Sequence, residues 1–253
     1  MAAMAADKGT ISISCLLWVF FHLLAVYNLH GLMTLSQGQL FDLSLRTYYK
    51  SKLHRIILGG GLTFSFLLIL LAPPILWLPL LFLNLLALIY GTPLLRFKNK
   101  VLRPKDLPLL KAPLVTIGVG SSVIFLPLFW AQGDNSFSIQ AEHLILLIHL
   151  FLNVIGGDLR DLKLDNSSGV KTWPVQWGFH RVQMIAITLA ILILPIGIAY
   201  QINGFFLTIM ILDIALLSSL RPNQPKSLYH ALDLAHFFPF LALFGTSVPI
   251  WVW

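Results

Sequence analysis

Eight predominantly apolar stretches, near residues 10–28, 56–73, 75–91, 113–131, 138–156, 182–201, 204–220 and 229–251, occupy most of this 253-residue chain. Each is close to the ~20 residues with which an α-helix crosses the hydrocarbon core of a bilayer. With 57% hydrophobic residues, 11% charged residues and a mean hydropathy of +0.83, a water-soluble domain is excluded. Backbone polar groups in lipid must be satisfied within the spanning segment itself. The expected fold is therefore all-α: a polytopic membrane helical bundle of about eight transmembrane helices, forming a single integral-membrane domain over residues 1–253. Gly59-Gly60-Gly61, Pro127 and Pro195 are expected to break spans, and Pro73-Pro74 to form a tight hairpin between the second and third.

The basic residues orient this map. Sixteen of the 17 Lys and Arg fall in the segments 29–55, 92–112, 157–181 and 221–228, which the eight spans place on one side; Lys8 alone lies opposite. The positive-inside rule puts those loops in the cytoplasm or its organellar equivalent, with both termini on the other side. The setting implied is an inner, plasma or thylakoid-type membrane. The stretch from Ile11 runs into Tyr27-Asn28 with no small-residue cleavage site, and so reads as an anchor. Cys15, the one cysteine, cannot form an internal disulfide. A net charge of +7 suits an anionic bilayer surface, with membrane lipids as partners, or an anionic substrate. Nucleic acid fits poorly, because the cations are split among short juxtamembrane loops.

The acids are scarcer and more telling. The chain has 10 carboxylates, and three of them, Asp158, Asp161 and Asp165, stand together in GGDLRDLKLDNSSGVKTWPVQWG. Their i, i+3, i+7 spacing predicts one shared helix face. Three clustered negative charges need a cation, and oxygen-only ligands beside Lys and Arg point to Mg²⁺ bridging to a phosphate group. Arg160, Lys163 and Lys171 are interleaved with the acids, as a diphosphate ester would require. The bland alternative is a solvated juxtamembrane helix laced with ion pairs.

Asp158-x-x-Asp161-x-x-x-Asp165, followed by Gly169, Lys171-Thr172, Pro174 and Gly178, resembles the second aspartate-rich motif of the UbiA superfamily of intramembrane aromatic prenyltransferases. Tyr90-Gly91-Thr92-Pro93-Leu94 with Arg96 and Lys98 is similar to the family's Tyr-x-x-Pro-Leu and basic loop. Leu107 to Val115, with Lys111, resembles the segment re-entering the next span, and Tyr229 to Asp233 the polar start of the last helix in one branch. The resemblance runs over about residues 11 to 250. It fails at the family's first motif, Asn-x-x-x-Asp-x-x-x-Asp. Tyr27-Asn28 falls where that motif should begin, but Leu32 and Ser36 replace the aspartates. Segment 28–45 offers His30, Ser36, Gln37, Gln39 and Asp42 in their stead. The family's usual first helix also has no counterpart, and Asn166 stands where an arginine is common.

In that family the two motifs hold the diphosphate of a polyprenyl donor through Mg²⁺. Its departure leaves an allylic cation that attacks an electron-rich acceptor. The resemblance implies Asp158, Asp161 and Asp165 as catalytic Mg²⁺ ligands, and Asn28, Lys111, Arg160, Lys171, Arg96 and Lys98 as contacts to an isoprenoid diphosphate. Two readings follow. One is a prenyltransferase moving a polyprenyl or phytyl group to a hydrophobic, aromatic-type acceptor. The other is a catalytically degenerate relative, a subunit or assembly factor of a larger membrane complex that binds lipid, quinone or pigment. A transporter or channel fits less well, since the acids cluster at one membrane face and not at its midplane.

Polar and aromatic residues within spans complete the list. Asp213 is a candidate for orienting substrate, because ionisable groups in lipid are costly and often functional. His149 reads as a packed histidine, Glu142-His143 as solvated near the outer surface, and His230, Asp233 and His236 as a helix cap or interface. Phe20, Phe21, Trp77, Phe82, Phe125, Phe129 and Trp130 could line an isoprenoid tunnel, although aromatic residues also face lipid in any membrane protein.

Overall fold

The computed structural model of the chain describes residues 13–36, 43–92, 95–97, 100–104, 107–127, 129, 141–200 and 204–222. Four helices open it: α1 (Ile13–Ser36), α2 (Leu43–Lys50), α3 (Lys52–Ile69) and α4 (Trp77–Gly91). A short antiparallel hairpin follows, with β1 (Leu95–Phe97) paired to β2 (Lys100–Leu102) in the register Leu95↔Leu102. Six further helices are α5 (Lys111–Gly120), α6 (Ala141–Arg160), α7 (Leu162–Ser168), α8 (Trp173–Trp177), α9 (Phe179–Ala199) and α10 (Gly204–Ser219). The hairpin apart, every described element is helical.

Four helices are long and apolar enough to cross a membrane: Ile13–Met33, Lys52–Ile69, His143–Arg160 and Phe179–Ala199. Three shorter apolar helices, Pro74–Tyr90, Lys111–Phe125 and Phe206–Ser219, fall where the remaining described spans were expected. Residues 229–251 lie outside the described residues. Many large apolar side chains on these helices are exposed, among them Phe66, Leu78 and Ile198. Lipid tails are as apolar as leucine, so such faces carry no penalty in a bilayer.

The expected breaks are corrected at two of three places. Helix α3 runs unbroken through Gly59-Gly60-Gly61, and α9 through Pro195. One forgone hydrogen bond or a flexible glycine is tolerated when flanking turns are held in an apolar medium. Only near Pro127 does the helix change. Ser121–Phe125 widens into a π-helical stretch just upstream, where the Pro127 nitrogen has no hydrogen to give the Val123 carbonyl. Pro73-Pro74 does mark the turn expected of it, opening a single 3₁₀ turn over Pro74–Leu76 before α4.

The described residues form two compact units. The first contains α1 to α4, the hairpin and the π-helical stretch. Its core gathers Trp18, Leu68, Ile69, Leu76, Leu80, Leu83 and Leu126, all buried. Helices α1 and α3 pack along their length, and Gly61 is what lets them close. A Cβ at Gly61 would lie 3.3 Å from both the Cβ and the backbone nitrogen of Ala25, whereas one at Gly59 or Gly60 would meet nothing within 4 Å. Gly61→Leu is accordingly expected to destabilise the protein by about 1–3 kcal/mol through overpacking. Gly59→Leu should leave the melting temperature in detergent unchanged or raise it, since leucine is the better helix former. Some buried polar groups in this unit are paired across helices. His22 Nδ1 donates to Asn84 Oδ1 at 3.1 Å while its ring stacks on Trp18 at 4.5 Å.

The second unit contains α5 to α10, with α6 packed against α5, α9 and α10. Leu146, Leu152, Ile155, Val182, Ala186, Phe206 and Met210 are among its buried residues. Gln183 of α9 donates from Nε2 to the carbonyls of Leu217 and Leu220, at 2.7 and 3.0 Å, at the end of α10. His143 corrects the expectation of a solvated residue: it is buried in the first turn of α6. It lies on the stripe continued by Leu146 and Leu150, at i+3 and i+7, which faces the interior of the unit.

Candidate functional site

The acidic motif begins in the last turn of α6, where Asp158 is buried. Regular helix stops at Asp161 (φ −90°, ψ 9°) and resumes as α7, yet the ladder continues across the break. Asp161 N–H donates to Gly157 O at 2.9 Å and Asp165 N–H to Asp161 O at 2.8 Å. Gly169, at φ 74°, then closes α7 with a Schellman pair: its own N–H bonds Asn166 O, and Val170 N–H bonds Asp165 O at 2.9 Å. A residue with a Cβ would be strained there, which accounts for this glycine of the motif. Thr172 and Pro174 start α8, with Thr172 buried at the N-cap, and Gly178 (φ 85°) turns the chain into α9.

Two of the three aspartates converge on a cation supplied from far upstream, 54 residues before Asp165. Lys111 Nζ lies 2.8 Å from Asp158 Oδ1 and 3.1 Å from Asp165 Oδ2. Asp158 and Asp165 thus share a face as their spacing predicts. Asp161, at the break between the helices, does not join them. It is held by Arg160 instead, with Nε 2.9 Å from Oδ1 and Nη2 3.2 Å from Oδ2, and both side chains are partly exposed. Burial pushes the Asp165 carboxyl above the usual carboxylate range, and the adjacent Lys111 ammonium draws it part of the way back.

Lys111 reaches this position from an unusual turn. Leu109 has φ 64°, the only left-handed non-glycine residue among those described. Its N–H donates to Lys171 O at 3.3 Å, and its carbonyl accepts from the indole Nε1 of Trp173 at 2.9 Å. Neither tie was legible in the sequence. Lys171 itself contributes its carbonyl here, and its side chain is exposed.

The other candidates lie elsewhere. Asn28 belongs to the first unit and is buried among structural partners. Its Nδ2 donates to Leu24 O at 2.8 Å, its Oδ1 accepts from Tyr48 at 2.8 Å, and its carbonyl accepts from His54 Nε2 at 3.3 Å. Asp213 accepts from His149 Nδ1 at 2.7 Å, and both are almost wholly buried. Asn153 approaches the other ring nitrogen at 3.0 Å and donates to it. His149 lies about half a turn round the unbroken helix α6 from Asp158, at ~100° per residue, so the pair sits on the face opposite the Lys111 cluster. Arg96 is in β1, with its side chain outside the description; Lys98, Gln37, Gln39, Asp42, Trp130, His230, Asp233 and His236 lie outside the described residues. Of the tunnel candidates, Phe20 and Phe82 are 59% and 60% exposed.

Among the described residues, no three carboxylate, imidazole or thiol side chains are grouped to hold a metal ion. The Asp158–Asp165 pair is nonetheless compatible with Mg²⁺. Its oxygens already meet at one cation, and Asp158 Oδ2 is buried without a hydrogen-bond partner. Mg²⁺ commonly takes one or two carboxylates and completes its shell with water and phosphate oxygens.

Four apolar helices of spanning length define a polytopic helical membrane protein, and the second unit carries the acid–lysine cluster. Its fold is that of the UbiA homologues. It matches a UbiA homologue from Archaeoglobus fulgidus bound to GPP and Mg²⁺ with a TM-score of 0.63 and 14% identity, covering 97% of this chain and 93% of that one. The same homologue bound to DMAPP and Mg²⁺ gives a TM-score of 0.58 and 15% identity, over 97% and 92%. By sequence, no protein-family model and no curated protein matches the chain.

Proposed function

We propose that this chain binds an isoprenoid diphosphate at the Asp158–Lys111–Asp165 cluster with Mg²⁺, and transfers the prenyl group to a hydrophobic, aromatic-type acceptor. The observation that carries this is the convergence of two buried carboxylates and a lysine at the end of α6. It is supported by a fold shared with a homologue bound to GPP and Mg²⁺. Asp158 and Asp165 hold the metal, which when bound neutralises charge on the departing diphosphate. Lys111 contributes a cation to phosphate oxygens, and Arg160 and Lys171 lie on the flanking segments. The chain forms one multi-pass domain, with its basic loops on the cytoplasmic side.

Incubating membranes containing the protein with isotope-labelled GPP, Mg²⁺ and an acceptor panel should give labelled lipid, lost on chelation or in Asp158→Asn. A second reading, the degenerate lipid-, quinone- or pigment-binding subunit, is favoured by Asn28. That residue opens what remains of the first motif, and its amide is taken up by Leu24 and Tyr48. Bound pyrophosphate with no labelled product across the panel would select it.

A further inference from the structure

The ammonium of Lys111 sits where two carboxylates of a metal site would meet their metal. It is held there by construction. The left-handed backbone of Leu109, two residues before it, is tied at its N–H to Lys171 and at its carbonyl to Trp173. Both anchors follow directly on the glycine that ends the helix of Asp165. One segment, 169–173, therefore positions an acid and the lysine that meets it. Strained backbone of this kind persists only where its surroundings over-determine it, and it clusters at binding and switch sites.

The charges in the cluster do not balance. Asp158 and Asp165 face one ammonium, and Asp158 Oδ2, on a side chain only 2% exposed, has no partner. A divalent ion between the carboxylates would leave the lysine surplus and the cluster net positive, complementary to a diphosphate. We infer that Lys111 is an exchangeable internal cation: it occupies the carboxylate pair when the site is empty of ligand, and yields that position to a divalent ion as diphosphate binds, pairing then with phosphate oxygens. This rests on the Mg²⁺–diphosphate reading of the site. Its consequence is linkage. Metal binding frees the lysine that diphosphate uses, so each ligand tightens the other.

The test is equilibrium binding of Mn²⁺, as a paramagnetic probe for Mg²⁺, to full-length protein in nanodiscs, with and without inorganic pyrophosphate and corrected for the soluble Mn²⁺–pyrophosphate complex. In Lys111→Met, Mn²⁺ alone should bind about tenfold tighter than in wild type, while pyrophosphate binds more weakly and the coupling between the two shrinks. Trp173→Phe loosens the turn without touching the lysine, and should tighten Mn²⁺ binding about threefold, which serves if Lys111→Met does not fold. Wild-type Mn²⁺ affinity in both folded variants, with binding abolished in Asp158→Asn, would overturn the exchange and leave the metal reading standing. Absence of Mn²⁺ binding from every form, with or without pyrophosphate, would overturn both.

Discussion

Replacing Asp158 with asparagine is expected to weaken Mg²⁺-dependent pyrophosphate binding on the order of a hundredfold, within the ~2–5 kcal/mol typical of truncating one member of a buried charge pair. The substitution keeps the shape of the side chain, so packing against Lys111 survives while the anionic charge and one of the two oxygens are lost. Asp161→Asn provides the contrast. Its carboxylate is 36% exposed and paired with an adjacent arginine that is itself partly exposed. Such pairs contribute ~0–1 kcal/mol, so binding should change by no more than about fivefold. Calorimetric titration of both variants separates a site built on two aspartates from one built on three. Equal losses would show that Asp161 turns into the site when ligand arrives, contrary to the geometry reported above.

Removing Asp213 should act on stability and leave ligand binding intact. Alanine there strands the Nδ1 hydrogen of His149 in a buried position. Interhelical hydrogen bonds in membranes average only ~0.6 kcal/mol and reach ~1.7, because the unfolded chain in lipid also finds partners. An orphaned buried donor costs ~1–3 kcal/mol. The near-complete burial of both residues places the cost above the membrane average and near the middle of the orphaned-donor range. A loss of about 2 kcal/mol follows, corresponding to roughly 5 °C in apparent melting temperature for a chain of this size. The double variant His149→Leu with Asp213→Leu should recover part of it, because neither partner of the pair is then stranded and only Asn153 loses an acceptor. Pyrophosphate affinity should be unchanged in both, since the pair faces away from Asp158 on α6. A loss of affinity matching the loss in stability would put Asp213 back in the binding site.

Part of this arrangement is legible from the order of residues along the chain. Hydropathy located the apolar helices because burial in lipid is a property of each segment by itself. The shared face of Asp158 and Asp165 was likewise local, following from helical period. Lys111 was legible only as a cation with a family counterpart; its place between the two acids rests on long-range contacts, the one to Asp165 across 54 positions, set by how α5 packs on α6. Asp161 escaped the same periodicity because the helix changes course at that residue. The burial of His143 runs against its sequence reading, and the roles of Asn28 and Asp213 stay open in the sequence, for one reason. A polar side chain in an apolar helix looks alike whether it faces a cavity, a partner such as Tyr48 or His149, or the interior. Glycine runs were equally ambiguous: Gly61 marks a helix crossing, and its two neighbours meet nothing.

The turn at Leu109 carries an evolutionary consequence. Its two tethers come from Lys171 O and the Trp173 indole, so the lysine arm and the acidic arm cannot drift separately. A lineage that loses the tryptophan or reshapes residues 169–173 must also change residues 108–111, or else surrender the lysine. Correlated variation between these two short stretches, and not the aspartates alone, is then the signature by which descendants keeping this arrangement can be told from those that have abandoned it.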